Sequence, residues 1–174
     1  MAVRDDFSAG EVLAAADLND TFAAKLDLAG GKILQIVRAT DGTNRSTTSN
    51  SEVDATISVT VTPQKSDSAV MLLWTATCRS TTNASSNESR ARLRITDASN
   101  NPISGASAAM GYSNTAVSSA FDAGLTVIGY STPATTSAVT YKGRFNVYVA
   151  GGGCTLSLLN SQSTGQMFAI EVSA

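Results

Sequence analysis

Alternation of apolar and polar residues, repeated along most of the chain after Lys32, is the sequence feature that most restricts the fold. Its longest run takes every second residue over 139–149, and another run consists of Ile57, Val59 and Val61. A period of two places alternate side chains on opposite faces of a β-strand. The sequence therefore predicts a mainly β domain in which each strand buries one face.

Turn-forming residues divide the alternating region into eight or nine short strands. Pro63 ends one of them, and the glycines at 151–153 turn the chain into another. The strand at residues 70–78 is apolar on both faces, because Met71 and Leu73 lie on its second side. Such a strand is central in a sandwich or lies at a subunit interface. We therefore expect an antiparallel, jelly-roll-like β-sandwich.

The first 27 residues differ from the remainder in charge and in periodicity. They hold six acidic and two basic residues, a net charge of −4, whereas the other 147 carry a net charge of +2. This segment alone has a helical composition, and Leu18, Phe22 and Leu26 recur every four residues as an apolar stripe. A helix this short is marginal alone in water. We expect residues 1–30 to form an attachment arm and residues 31–174 to form the β-sandwich domain.

The chain contains no histidine, which removes several classes of enzyme. Ser-His-Asp and Cys-His triads, His-ligated zinc and His general-base catalysis all require this residue. Cys78 and Cys154 are too few for a disulfide framework or a four-thiolate metal site, so we expect free, buried thiols. Of the acids after residue 30, only Glu52 and Asp54 lie close together in sequence. We expect no catalytic activity, no metal and no cofactor.

Charge and hydropathy also bear on the partners of this protein. A net charge of −2 and a pI near 5.0 argue against nucleic-acid binding, which requires a clustered basic face. No apolar run approaches the roughly 20 residues that span a bilayer. The first ten residues carry Arg4, Asp5 and Asp6 and lack the apolar core of a signal peptide. We expect neither a nucleic acid nor a membrane as a partner.

A basic stripe lies on one predicted strand, where Arg90, Arg92 and Arg94 alternate with apolar residues. Arginine pairs bidentately with carboxylates and binds anionic sugars, so the stripe is a candidate contact to another subunit or to a receptor. A solvated outer face of the sheet is the alternative interpretation. The sequence does not distinguish the two.

Aromatic side chains can form a platform on which a sugar ring stacks. Trp74 and Tyr141 share a strand face with aliphatic residues, and we expect both in the core. Tyr112 and Tyr130 are the remaining candidates for a ligand face. Tyr112 lies in the Ala- and Ser-rich segment 103–120, whose weak pattern predicts only a poor strand and a loop.

Three segments, in the same order, resemble segments of tailed-bacteriophage fibre and virion proteins. Residues 7–22 read FSAGEVLAAADLNDTF and are similar to the opening segment of many such proteins. Residues 30–37 read GGKILQIV and resemble the strand that follows there, and residues 131–142 read STPATTSAVTYK and resemble a later segment. One departure is Ala14, where the related proteins usually have threonine as the helix N-cap.

The resemblance implies a trimeric structural protein of the virion whose N-terminal segment attaches it to other virion proteins. The apolar residues of that segment are Phe7, Val12, Leu13, Leu18, Phe22 and Leu26. The low charge and the doubly apolar strand also favour a homotrimer, since a monomer would expose this apolar surface.

Three classes of function fit parts of the sequence. The leading one is a non-enzymatic bacteriophage virion protein, a short trimeric surface appendage such as a fibre, a knob or a capsid decoration. The alternative is a carbohydrate-recognition module at the tip of a tail fibre, which binds host surface glycans. A sugar-degrading tailspike enzyme fits least, because the chain has neither a long β-helix nor an acid cluster. We expect a protein made in the host cytoplasm and located in the virion.

Overall fold

Strands account for all the regular structure of the computed structural model, which describes residues 31–82, 88–113, 119–147 and 154–174. Those ranges contain ten strands and no helix. The strands are β1 (Ile33–Asp41), β2 (Arg45–Thr47), β3 (Val53–Val61), β4 (Ala69–Thr82), β5 (Glu88–Asp97), β6 (Pro102–Ser113), β7 (Ser119–Ser131), β8 (Val139–Val147), β9 (Thr155–Leu158) and β10 (Gly165–Val172). The predicted arm at 1–30, with all its apolar residues, and the predicted turn at 151–153 lie outside the described residues.

The strands form two antiparallel sheets that stack as a sandwich. Sheet A contains β1, β10, β4 and β7 in that order. The short strand β9 pairs with β4 on the same side as β10 does, and β2 pairs with β9. Sheet B has the order β3, β8, β5, β6. The 14-residue strand β4 organises sheet A, because β10 pairs with its first half, β9 with its second half and β7 with nearly its whole length.

The strand order is that of a jelly roll. In sheet A, β1 and β2 follow one another in a single strand position, interrupted by residues 42–44. In the neighbouring strand position β9 and β10 follow one another, interrupted by residues 159–164. If each of these pairs is counted as one bent strand, the sandwich has eight strands. Their order is first, eighth, third, sixth in one sheet and second, seventh, fourth, fifth in the other. The predicted antiparallel sandwich is confirmed, and the two interrupting loops raise the number of strands to ten.

The core lies between the sheets and follows the alternation in the sequence. Trp74 at its centre is 1% exposed, and Tyr141 and Phe145 of β8 are almost as fully buried. The indole packs over Gly143, where an added Cβ would lie 2.8 Å from a methyl of Ile57 and 3.1 Å from the Trp74 ring. The prediction that Trp74 and Tyr141 belong to the core is confirmed.

Small residues close the sandwich where β6 faces β7. A Cβ added at Gly129 would lie 2.7 Å from the Cβ of Ala106, so the two strands approach too closely for larger side chains. The poor strand that the sequence predicts at the start of 103–120 is confirmed, because β6 is a strand of 12 residues whose pairing with β5 is interrupted between Arg94 and Thr96 and whose Gly105 has a φ of +72°. The predicted loop includes residues 114–118, which lie outside the described residues.

A buried carboxylate joins the two sheets at the opposite edge of the sandwich, where β1 contacts the segment between β3 and β4. Glu171 of β10 is fully buried, and its oxygens accept hydrogen bonds from the Gln35 side chain and from the backbone N–H of Gln64 at 2.7 Å. Gln35 also donates to the carbonyl of Thr62 at 2.6 Å. Burial opposes ionisation of Glu171, but these hydrogen bonds outweigh it and lower the pKa of the carboxyl below its usual value.

Candidate functional site

The predicted ligand residues divide between the two outer faces of the sandwich. Arg90, Arg92 and Arg94 lie on the outer face of sheet B, whereas Tyr130 lies on the outer face of sheet A and is 62% exposed. Tyr112 is on β6, and its side chain lies outside the described part of the chain. Because Tyr130 and the arginines occupy opposite sides of the molecule, they do not form a single ligand site.

Glu52 joins two of the predicted arginines in what we call the arginine network, formed by Glu52, Arg92, Arg94 and Arg144. A carboxylate oxygen of Glu52 lies 2.7 Å from Nη1 of Arg94 and 3.6 Å from Nη2 of Arg92. Nη2 of Arg144 donates to the backbone carbonyl of Glu52 at 2.8 Å. The side chain of Glu52 is only 18% exposed, so these ion pairs are largely shielded from water.

The network compensates for a repulsive arrangement in the ladder of sheet B. Arg94 of β5 lies directly opposite Arg144 of β8, and like charges in that position are destabilising. Glu52 contacts both residues and neutralises part of this charge. The loop before Glu52 also binds sheet B directly, because the Val147 N–H donates to the carbonyl of Ser49 at 3.0 Å. The network thus fixes the connection between β2 and β3 against sheet B.

Acids nearly balance the basic residues of β5 and β8. The five basic residues are Arg90, Arg92, Arg94, Lys142 and Arg144. Four acids lie on these strands or contact them, namely Glu52, Asp54, Glu88 and Asp97, the last of which interacts with Lys142. The sequence-based interpretation of the arginine stripe as a contact surface stays a prediction.

The Glu52→Gln change should lower the free energy of unfolding by about 2 kcal/mol, because it leaves Arg94 without its shielded carboxylate. Asp54→Asn removes the same charge, but Asp54 is 53% exposed and lies 3.9 Å from Arg144. That control should cost less than about 0.5 kcal/mol. Denaturant unfolding can be followed by fluorescence of Trp74, the only tryptophan. Equal losses in the two variants would contradict the role given to Glu52.

The outer face of sheet A carries a continuous apolar surface, which we call the outer apolar patch. Two rows of side chains cross all four strands from β1 to β7. The first row is Ile36, Ile170, Met71 and Tyr130, and the second is Arg38, Phe168, Leu73 and Ile128. Ile36 is 57% exposed and Ile128 61%. The next row, Thr40, Gln166, Thr75 and Thr126, is polar and bounds the patch.

One cation lies within the outer apolar patch. The guanidinium of Arg38 is 5.8 Å from the centre of the Phe168 ring, within the range of a cation–π contact. The sequence makes Tyr130, together with Tyr112, a candidate for stacking on a sugar ring. The pairing of β7 with β4 and of β4 with β10 places it instead in a mainly aliphatic row.

A small depression lies where the two interrupting loops of sheet A meet. It has a volume of about 200 Å³ and is lined by Asn44, Arg45, Ser46, Ser157 and Leu159. Arg45 is held there by Asp41, whose carboxylate lies 3.1 Å from Nη2. The depression is smaller than the roughly 300–1,000 Å³ of typical ligand pockets. Its lining provides no pair of groups suited to acid–base chemistry.

The two cysteines are free and buried, as predicted. Burial raises the pKa of the Cys78 thiol to about 12, so this group stays protonated and unreactive at neutral pH. Within the described ranges, no three His, Cys, Asp or Glu side chains converge as a metal site requires. The same ranges contain no helix long and apolar enough to cross a membrane.

Comparisons with known proteins provide no family assignment. No protein-family model matches the chain, and no curated protein is significantly similar to it. The inference of function therefore depends on the residues, the fold and the two outer faces.

Proposed function

We propose that this chain is a non-enzymatic structural protein of a bacteriophage virion, a short trimeric surface appendage anchored by residues 1–30. The jelly-roll order of the strands is the observation that carries the proposal, since this fold is frequent in viral capsid proteins. A fold alone does not determine a function. The resemblance of the N-terminal segment to phage virion proteins supplies the second, independent support.

The start of the sandwich is compatible with an arm that leaves it at one end. The Gly31 N–H donates to the carbonyl of Ser173 at 3.0 Å, and the Ser173 N–H donates to the carbonyl of Lys32 at 2.9 Å. These bonds tie the beginning of β1 to the end of β10. The preceding residues therefore start from a fixed point at the end of sheet A.

Deletion of residues 1–30 should leave folding and oligomerisation intact, change the melting temperature little and abolish assembly onto virions. The double change Leu18→Ala, Phe22→Ala should have the same effect, because it removes most of the predicted apolar stripe. Electron microscopy of virions assembled with labelled protein shows whether each variant is incorporated. The position of the label also shows whether the protein lies at the head or at the tail.

The control for this experiment is Asp20→Ala, which lies opposite the stripe in a helical register and should still assemble. Unfolding of the truncated protein would mean that the segment belongs to the core of the sandwich. Normal decoration by the truncated protein would mean that the anchor lies on the sandwich itself.

The second candidate function is recognition of host surface glycans, and the row of Arg90, Arg92 and Arg94 on the outer face of sheet B favours it. Arginine pairs well with the carboxylates of acidic sugars. Retention on an acidic polysaccharide that is lost at high salt, without retention on neutral dextran, would support this function. The two functions are compatible, since an appendage can also bind a receptor.

A further inference from the structure

We infer that the outer apolar patch of sheet A is the surface through which copies of this chain associate. The inference rests on the proposed oligomeric function and assigns the interface within it. Seven of the eight residues in the two rows are apolar, and they form one surface across four strands. Ile36, Ile128 and Tyr130 each expose more than half of their surface to water in the isolated chain.

The size and composition of the patch fit the centre of a protein interface. Strands about 4.8 Å apart and rows about 7 Å apart give a footprint of roughly 270 Å². A standard interface covers about 800 Å² on each partner, with an apolar centre and a polar rim. The polar row beside the patch lies where such a rim would be. Aromatic residues, Met and Arg are enriched in interface centres and acids are depleted, as in the two rows.

The opposite edges of the patch are complementary to each other, which favours a second copy as the partner. Arg38 lies on the β1 edge, and the exposed ring of Tyr130 lies on the β7 edge. Copies arranged head to tail around an axis place the β1 edge of one beside the β7 edge of the next. Each Arg38 then gains a second aromatic ring as a cation–π partner. Neither row contains an acid, so no carboxylate within the patch competes with the aromatic rings for Arg38.

The test compares the full-length protein with Ile128→Glu and Tyr130→Glu by light scattering coupled to size exclusion. The unmodified protein should have about three times the mass of the 17.9 kDa chain at micromolar concentration. Each substitution should weaken association on the order of 100-fold and yield single chains. Ser58→Glu adds the same charge to an exposed outward position of sheet B and should leave the mass unchanged.

A second measurement does not depend on the folding of a charged variant. Arg38→Cys and Tyr130→Cys proteins, mixed and mildly oxidised, should form a disulfide-linked pair more readily than either protein alone. The native thiols are buried and do not compete. If the Ile128→Glu and Tyr130→Glu proteins keep the mass of the oligomer, the outer apolar patch is not the interface, although the protein is still oligomeric. An unmodified protein that runs as a single chain would overturn both, and residues 1–30 or another virion protein would then cover the patch.

Discussion

The Trp74→Ala change should lower the free energy of unfolding by about 4 kcal/mol at neutral pH. The indole is 1% exposed and packs on Gly143 at the centre of the sandwich. Its removal leaves a cavity that the surrounding strands cannot fill, because both sheets are held in fixed register by their ladders. Urea unfolding followed by far-ultraviolet circular dichroism measures the loss. The protein concentration must be kept constant, since association contributes to stability.

The control for this prediction is the next residue on the same strand. Thr75 points to the outer face of sheet A, and Thr75→Ala should change stability by less than about 0.5 kcal/mol. A similar loss in both variants would mean that Trp74 contributes only through the strand propensity of β4.

The Glu171→Ala change should cost about 3 kcal/mol at pH 7, because it leaves buried donors without an acceptor. These donors include the Gln35 amide and the backbone N–H of Gln64. Glu171→Gln keeps the shape and one acceptor oxygen, so its loss should be roughly half as large. Trp74 fluorescence during urea unfolding provides the measurement.

The stabilisation by Glu171 should depend on pH in a defined direction. Its pKa in the folded protein lies below the ordinary value of about 4.3, so the ionised form is favoured by folding. This contribution is fully present above the pKa of the unfolded chain and is lost as the pH falls through the folded pKa. The difference between the unmodified protein and Glu171→Gln should therefore shrink below about pH 4. The same difference at pH 7 and pH 3 would show that the ionised carboxylate is not what stabilises this edge.

The alternation in the sequence was sufficient to identify the core face of most strands. In β3 it correctly buried Ile57, Val59 and Val61, and in β5 it correctly placed Leu93 and Ile95 inside with the arginines outside. These positions are predictable because the period of two decides which side chains share a face. The sandwich class followed from the number of such strands and the turn residues between them.

What the sequence could not supply is the pairing of strands far apart in the chain. It marked Met71 and Leu73 as a second apolar face, but not that they adjoin Phe168, Ile170 and Tyr130. The outer apolar patch exists only through that register. Glu171 was missed for the same reason, since its partners lie more than 100 residues away.

Close packing and loop contacts are the other features that the sequence does not reveal. The weak pattern of β6 has its cause in the close approach of Ala106 to Gly129 of the other sheet, which leaves no room for larger side chains. The basic stripe of β5 was correctly placed outside. Its engagement with Glu52 depends on where the loop after β2 crosses, and alternation carries no information about that crossing.

The position of β10 between β1 and β4 determines the order in which the strands of sheet A can pair during synthesis of the chain. β1 leaves the ribosome early, but its partner β10 is made more than 120 residues later. At about 5–20 residues per second, that interval is on the order of 10 s. Meanwhile β4 can pair with β7, whereas β1 waits with its apolar residues and both of its edges unpaired, a state prone to aggregation. The time for which β1 stays unpaired, and not only the stability of the finished sandwich, then influences how much of the protein completes sheet A.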